Sequence, residues 1–278
     1  MRTLIVLTLA ILFTTHFATA QTRQTLKIVA QKPFELGKTV EIKSVILGEN
    51  RVINLYFPPD YSENNEKSYP VIYLLDGSAD EDFIHIAGLV QFASFSWINI
   101  IPESIVVGIA NVDRKRDFTF PTSNKKDKTE FPTTGGSEKF IDFLEKELQP
   151  FITSTYRTTT TKTLIGQSLG GLLATEILFK KPDLFNNYII VSPSLWWSDE
   201  ALLQFKPTDY KEPKSIYIAV GNEGEVMEND AKSLYEKLNR SKIDKTAIYF
   251  NFLENQNHGD ALHLAVYDAF SKIFNPAE

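Results

Sequence analysis

Ser168 stands in Gly166-Gln167-Ser168-Leu169-Gly170, a G-x-S-x-G pattern. Glycines at 166 and 170 let the chain reverse tightly, so the serine hydroxyl is aimed out of the turn, and the amide of Leu169 opens the following segment as a donor to an oxyanion. Such a serine needs a general base. Of the four histidines, His16 lies near the start and His85 precedes the serine, which leaves His258 and His263. His258 lies in Asn255-Gln256-Asn257-His258-Gly259-Asp260, between the last β-pattern and the last helical pattern, where a loop can carry an imidazole to the hydroxyl. His263 falls inside the helical pattern, so His258 is preferred. An acid is expected where Ile218-Ala219-Val220-Gly221 runs into Asn222-Glu223-Gly224-Glu225. A carboxylate there fixes the tautomer of the base and stabilises its cation. Glu223 is preferred as the earlier residue; Glu225 fits the first turn of a helix, where the macrodipole favours an acid. A serine-histidine dyad without this acid stays open.

These residues need a frame. Thr163 to Gly166 reads as a strand, and the apolar run after Ser168 has helical length and no proline. Tyr69 to Leu75 is a near-continuous apolar run, the mark of a strand covered on both faces. Further strands are expected at Ser104–Ala110, Tyr188–Val191, Ser215–Val220 and Ala247–Phe252, with helices at Lys139–Phe151, 226–239 and 260–274. Before them, Thr25–Val29, Val40–Ile46 and Val52–Phe57 read as antiparallel strands opening the sheet, with a turn at Leu47-Gly48-Glu49-Asn50. The expectation is one α/β domain over 21–278. Its sheet is mostly parallel, with antiparallel N-terminal strands and helices on both faces.

Composition narrows the setting. Residues 1–20 read as a signal peptide: Arg2, an apolar core from Leu4 to Phe13, and Ala18-Thr19-Ala20. Cleavage would leave 258 residues carrying 28 basic and 35 acidic side chains, a net charge of −7. An exported protein, periplasmic or secreted, is expected, with no membrane partner after cleavage. The acidic balance speaks against nucleic acid. The chain has no cysteine, which excludes disulfides, a thiol nucleophile and a zinc-thiolate site. Neither metal nor cofactor is needed for the chemistry above, and oligomeric state is left open.

The order of elements is that of an α/β-hydrolase, in which site residues sit on loops at the carboxyl ends of the strands. Pro70 to Gly77, Arg116-Asp117-Phe118-Thr119, Gly166 to Gly171, Ser192-Pro193-Ser194-Leu195-Trp196-Trp197, Gly221-Asn222-Glu223 and His258 resemble the esterase-D-like branch of that superfamily, which includes siderophore esterases. The resemblance implies hydrolysis of carboxylic esters by Ser168 and His258. It also implies an oxyanion hole from Leu169 and an amide just after Asp76, at Gly77 or Ser78. Many relatives carry Asp where this chain has Glu223. For the substrate, the loop Arg114-Lys115-Arg116 is placed on the rim of the site, where Arg114 and Arg116 could hold an anion or Arg116 could pair with an acid. Of Trp196 and Trp197, one could wall a pocket and the other join the core. A small-molecule ester of siderophore or aromatic type is the first expectation. A carbohydrate acyl ester, an acyl transfer, or a non-catalytic binding protein on the same scaffold are the rivals.

Overall fold

The computed structural model describes residues 26–62 and 66–275. The eight strands are β1 (Lys38–Lys43), β2 (Asn50–Tyr56), β3 (Tyr69–Leu74), β4 (Ile105–Ile109), β5 (Thr158–Gln167), β6 (Asn187–Val191), β7 (Ser215–Gly221) and β8 (Ala247–Leu253). They form one sheet in the order β1-β2-β4-β3-β5-β6-β7-β8. β2 is antiparallel to both its neighbours, and every pairing from β4 to β8 is parallel. The helices are α1 (Phe83–Ala93), α2 (Arg114–Phe118), α3 (Lys125–Glu130), α4 (Ser137–Phe143), α5 (Gln149–Thr155), α6 (Leu169–Lys180), α7 (Trp197–Gln204), α8 (Glu225–Ser241) and α9 (Ala261–Phe274).

Strand alternation explains the layers. Tyr69, Val71, Tyr73 and Leu75 enter one core with Leu164, Tyr188, Ile190, Ile216 and Ile218, against α4, α6 and α8. Ile72 and Leu74 enter a second core with Ile165, Ile189, Val191 and Tyr217, against α1 and α9. A period of two along each strand feeds both faces, which is why the central strands read as unbroken apolar runs. Because β3 and β5 to β8 are parallel, their carboxyl ends share one edge of the sheet. That edge carries Asp76, Ser168, Ser192, Glu223 and His258.

Two expectations change. Residues 26–29 form no strand, and Leu26, Ile28 and Val29 are exposed. β-forming residue types alone do not make a strand, because the preference they report is for packing on a sheet surface. The helix expected at Lys139–Phe151 instead runs as α4, a π turn at Leu144–Leu148 and α5. Pro150 lies in the first turn of α5, has no amide to donate and crowds the preceding turn, which the wider π turn accommodates. The signal peptide expected at 1–20 lies outside the described residues. Among those described, no helix is long and apolar enough to cross a membrane.

The tightest point is the elbow. A Cβ at Gly166 would sit 2.4 Å from the carbonyl oxygen of Gly170, and two backbone segments cannot separate there without moving β5 from α6. Gly166→Ala should therefore lower the unfolding free energy by about 2–3 kcal/mol in urea melts. A loss under about 0.5 kcal/mol would show that the elbow has slack.

Candidate active site

Ser168 is the residue between β5 and α6, with φ 59° and ψ −120°. That left-handed backbone holds the side chain off the end of the sheet. The amide of Ser168 donates to Val191 O at 3.0 Å, and its carbonyl accepts from Leu172 N at 2.9 Å and Ser194 N at 3.0 Å. The hydroxyl lies 3.4 Å from Ser194 Oγ. Leu169 begins α6 directly beyond.

His258 lies on the loop between β8 and α9, and its Nδ1 is 2.5 Å from Glu223 Oε2. Glu223 follows β7 and its side chain is 3% exposed, whereas that of His258 is 47% exposed. The other carboxylate oxygen accepts from Ser192 Oγ at 2.5 Å and Gly221 N at 2.9 Å. Burial pushes the Glu223 carboxyl up, but the hydrogen bonds from His258, Ser192 and the Gly221 amide outweigh it and hold the group below its ordinary value. The acid is thus kept as an anion facing the imidazole. Glu225 is the first residue of α8 and exposed, away from this contact. His263 lies within α9, its ring stacked on His85 at 4.2 Å.

Ser168 and His258 line one cleft of about 400 Å³ with Asp76, Glu81, Asp82, Arg114, Gln167 and Gly259. No hydrogen bond joins the two in this structure. Their loops are tied instead by Gln167 Nε2, which donates to the carbonyl of His258 at 2.6 Å. Of the amides considered for an oxyanion, that of Gly77 already donates to Ile109 O at 2.9 Å. The Ser78 amide meets only the exposed Glu81 carboxylate, at 3.3 Å, a partner that can swing away. Of the two, the Ser78 amide is therefore the more available as a donor.

The basic loop divides. Arg114 reaches the cleft and grips Asp76 through two parallel bonds, Nε to Oδ1 at 2.6 Å and Nη2 to Oδ2 at 2.8 Å. Arg116 does not line the cleft: it binds Asp117 at 2.7 Å and Glu49 at 2.6 Å, beside the buried Arg51–Asp117 pair. Trp197 is fully buried with its indole donating to Phe120 O at 3.0 Å, and the half-buried Trp196 packs on it and on Phe131. Neither tryptophan lines the cleft. Sequence reasoning did not single out Gln167, Asp82 or Ser192 for a role. The one signal was position, since Gln167 precedes Ser168 and Ser192 follows the end of β6; Asp82, at the start of α1, carried none.

A serine at a strand-to-helix elbow, with an acid and a histidine at later strand ends of a 1-2-4-3-5-6-7-8 sheet, defines an α/β-hydrolase. Residues 44–265 match the family described as "Putative esterase", and the chain belongs to that family of ester hydrolases. It is 32% identical over 243 residues to the ferri-bacillibactin esterase BesA of Bacillus subtilis, covering 78% of this chain and 81% of the relative. Among solved structures, it superposes on an IroE-like serine hydrolase from Shewanella oneidensis with a TM-score of 0.75 at 29% identity, covering 86% of this chain and 80% of the other. The BES protein from Bacillus cereus gives 0.75 at 28% identity, covering 89% and 98%.

Asp82 gives this site a measurable electrostatic signature. Burial, then the charges of Asp76 and Glu81, push its carboxyl up to about 6 from the ordinary 3.8. The folded state holds its proton more tightly than the unfolded chain, so above about pH 6 the ionised group costs stability, and below about pH 4 the cost is gone. Asp82 makes no side-chain cap to α1, so Asp82→Asn loses no hydrogen bond there. Allowing for its partial exposure to solvent, the variant should gain about 1 kcal/mol at pH 8 and nothing at pH 4 in urea melts. An equal gain at both pH values would mean that charge is not the cause.

Proposed function

We propose that this protein hydrolyses esters of siderophore type through Ser168, His258 and Glu223. The reading is carried by one arrangement: a buried, ionised Glu223 bonded to Nδ1 of His258, on the wall of the cleft that holds Ser168. With Nδ1 committed to the acid, Nε2 is the nitrogen left to accept the serine proton once the exposed loop brings it within hydrogen-bond reach of the hydroxyl. The serine oxygen then attacks the ester carbonyl. Charge builds on the carbonyl oxygen, where Leu169 N and Ser78 N are the donors. The imidazolium, steadied by Glu223, returns its proton to the leaving alcohol, and a water molecule repeats the sequence to free the acid.

The siderophore class is supported by relatives named for such substrates, among them the triacetylfusarinine C esterase of Aspergillus fumigatus. Arg114 is the cation of the cleft, and its guanidinium is steadied by Asp76. Acyl transfer would use the same residues but needs water kept out. With the His258 side chain 47% exposed, hydrolysis is the better fit. The signal-peptide pattern of residues 1–20 supports export to the periplasm or medium.

Turnover of a ferric siderophore ester and of a neutral acyl ester tests the reading. Ser168→Ala and His258→Ala should each lower kcat by at least about 10³-fold, while His263→Ala stays within about twofold. The wild-type protein should favour the siderophore ester in kcat/KM. Full turnover without Ser168 would reject the nucleophile, and a preference for the neutral ester would reject the substrate class.

A further inference from the structure

Ser192-Pro193-Ser194 has no role in the chemistry above, yet it touches both ends of it. Ser192 is fully buried at the end of β6 and adopts φ 44°. Glycine takes that left-handed backbone freely, whereas a residue with a Cβ is strained there. What serine adds over glycine is a hydroxyl, and it donates to Glu223 Oε1 at 2.5 Å. The backbone of Ser192 is held by its amide bond to Ala219 O at 2.7 Å on β7, the strand that ends at Gly221. Two residues on, Ser194 N donates to Ser168 O at 3.0 Å, and Pro193 Cα would lie 2.9 Å from a Cβ at Gly171. One short turn is thus clamped to the elbow helix on one side and to the acid on the other.

We infer that Ser192 is a positioning residue, which acts through Glu223 to orient His258. The inference rests on the proposed roles of Glu223 and His258. A carboxylate bound only by the imidazole can rotate about its last side-chain bond. Donors on the second oxygen, Ser192 Oγ and Gly221 N, remove that freedom and leave Oε2 directed at Nδ1. Of these two donors, only the serine hydroxyl can be removed by substitution with the main chain intact. The strain at Ser192 is then the cost of placing a hydroxyl where the backbone prefers none.

A double-mutant cycle tests this. Ser192→Ala should lower kcat roughly tenfold at unchanged KM, as expected for loss of a hydrogen bond to a charged group. In a Glu223→Gln background the same substitution should cost less than about twofold, because the path through the acid is already broken. Ser192→Gly should match the Ser192→Ala loss in kcat while its Tm is equal or higher, since relief of strain and loss of catalysis part company there. The same tenfold loss in both backgrounds would overturn the inference, as would wild-type kcat in Ser192→Ala or Ser192→Gly. Wild-type kcat in Glu223→Gln alone would instead overturn the assignment of the acid, and the inference with it.

Discussion

The backbone of Ser168 is the constraint on which the rest is built. At φ 59° and ψ −120° a serine is outside the regions that side chains prefer, and such a conformation costs about 1–3 kcal/mol. It persists because the surroundings leave no alternative. Gly166 packs against Gly170 with no space for a Cβ, the Ser168 amide is tied to β6 and its carbonyl to α6. Asp76 and Ser192 are also at positive φ. Three neighbouring strand ends, on β3, β5 and β6, are therefore held in left-handed backbone by the two cores, and two of them, at Asp76 and Ser168, line the cleft.

From that frame the electrostatics follow. The cleft brings together three carboxylates, Asp76, Glu81 and Asp82, with Arg114, and the pairing of Arg114 with Asp76 offsets one of them. Asp82 is left with an upward-shifted carboxyl because burial and like charges act together. Glu223 is driven the other way despite its burial, because its oxygens have three donors. Two acids at one edge of a sheet thus differ in how tightly they hold a proton, for reasons that are local and structural.

Much of this was legible in the sequence, and where it was not the reason is physical. Parallel strands buried on both faces announce themselves as apolar runs, so β3 to β8 and the elbow could be placed from residue type alone. The pairing of Glu223 rather than Glu225 with His258 follows from distance to the strand end, since the helix start at Glu225 turns its side chain to solvent. Residues 26–29 misled because strand formation depends on a neighbour that the sequence does not show. Arg116, Trp196 and Trp197 could not be assigned between rim and core from their types: Glu49 and Asp117, 67 residues and one residue away, decide the first, and contacts with Phe120 and Phe131 decide the others. The tie from Gln167 to the carbonyl of His258 spans 91 residues and leaves no local pattern to read.

The proposed chemistry depends most directly on Ser168 being the nucleophile. Intact-protein mass spectrometry after reaction with a fluorophosphonate, followed by peptide mapping, measures it. The predicted result is a single adduct per chain, carried by Ser168 and formed in step with the loss of ester turnover. An adduct on another residue, or unlabelled protein that still hydrolyses the ester after prolonged exposure, would contradict it.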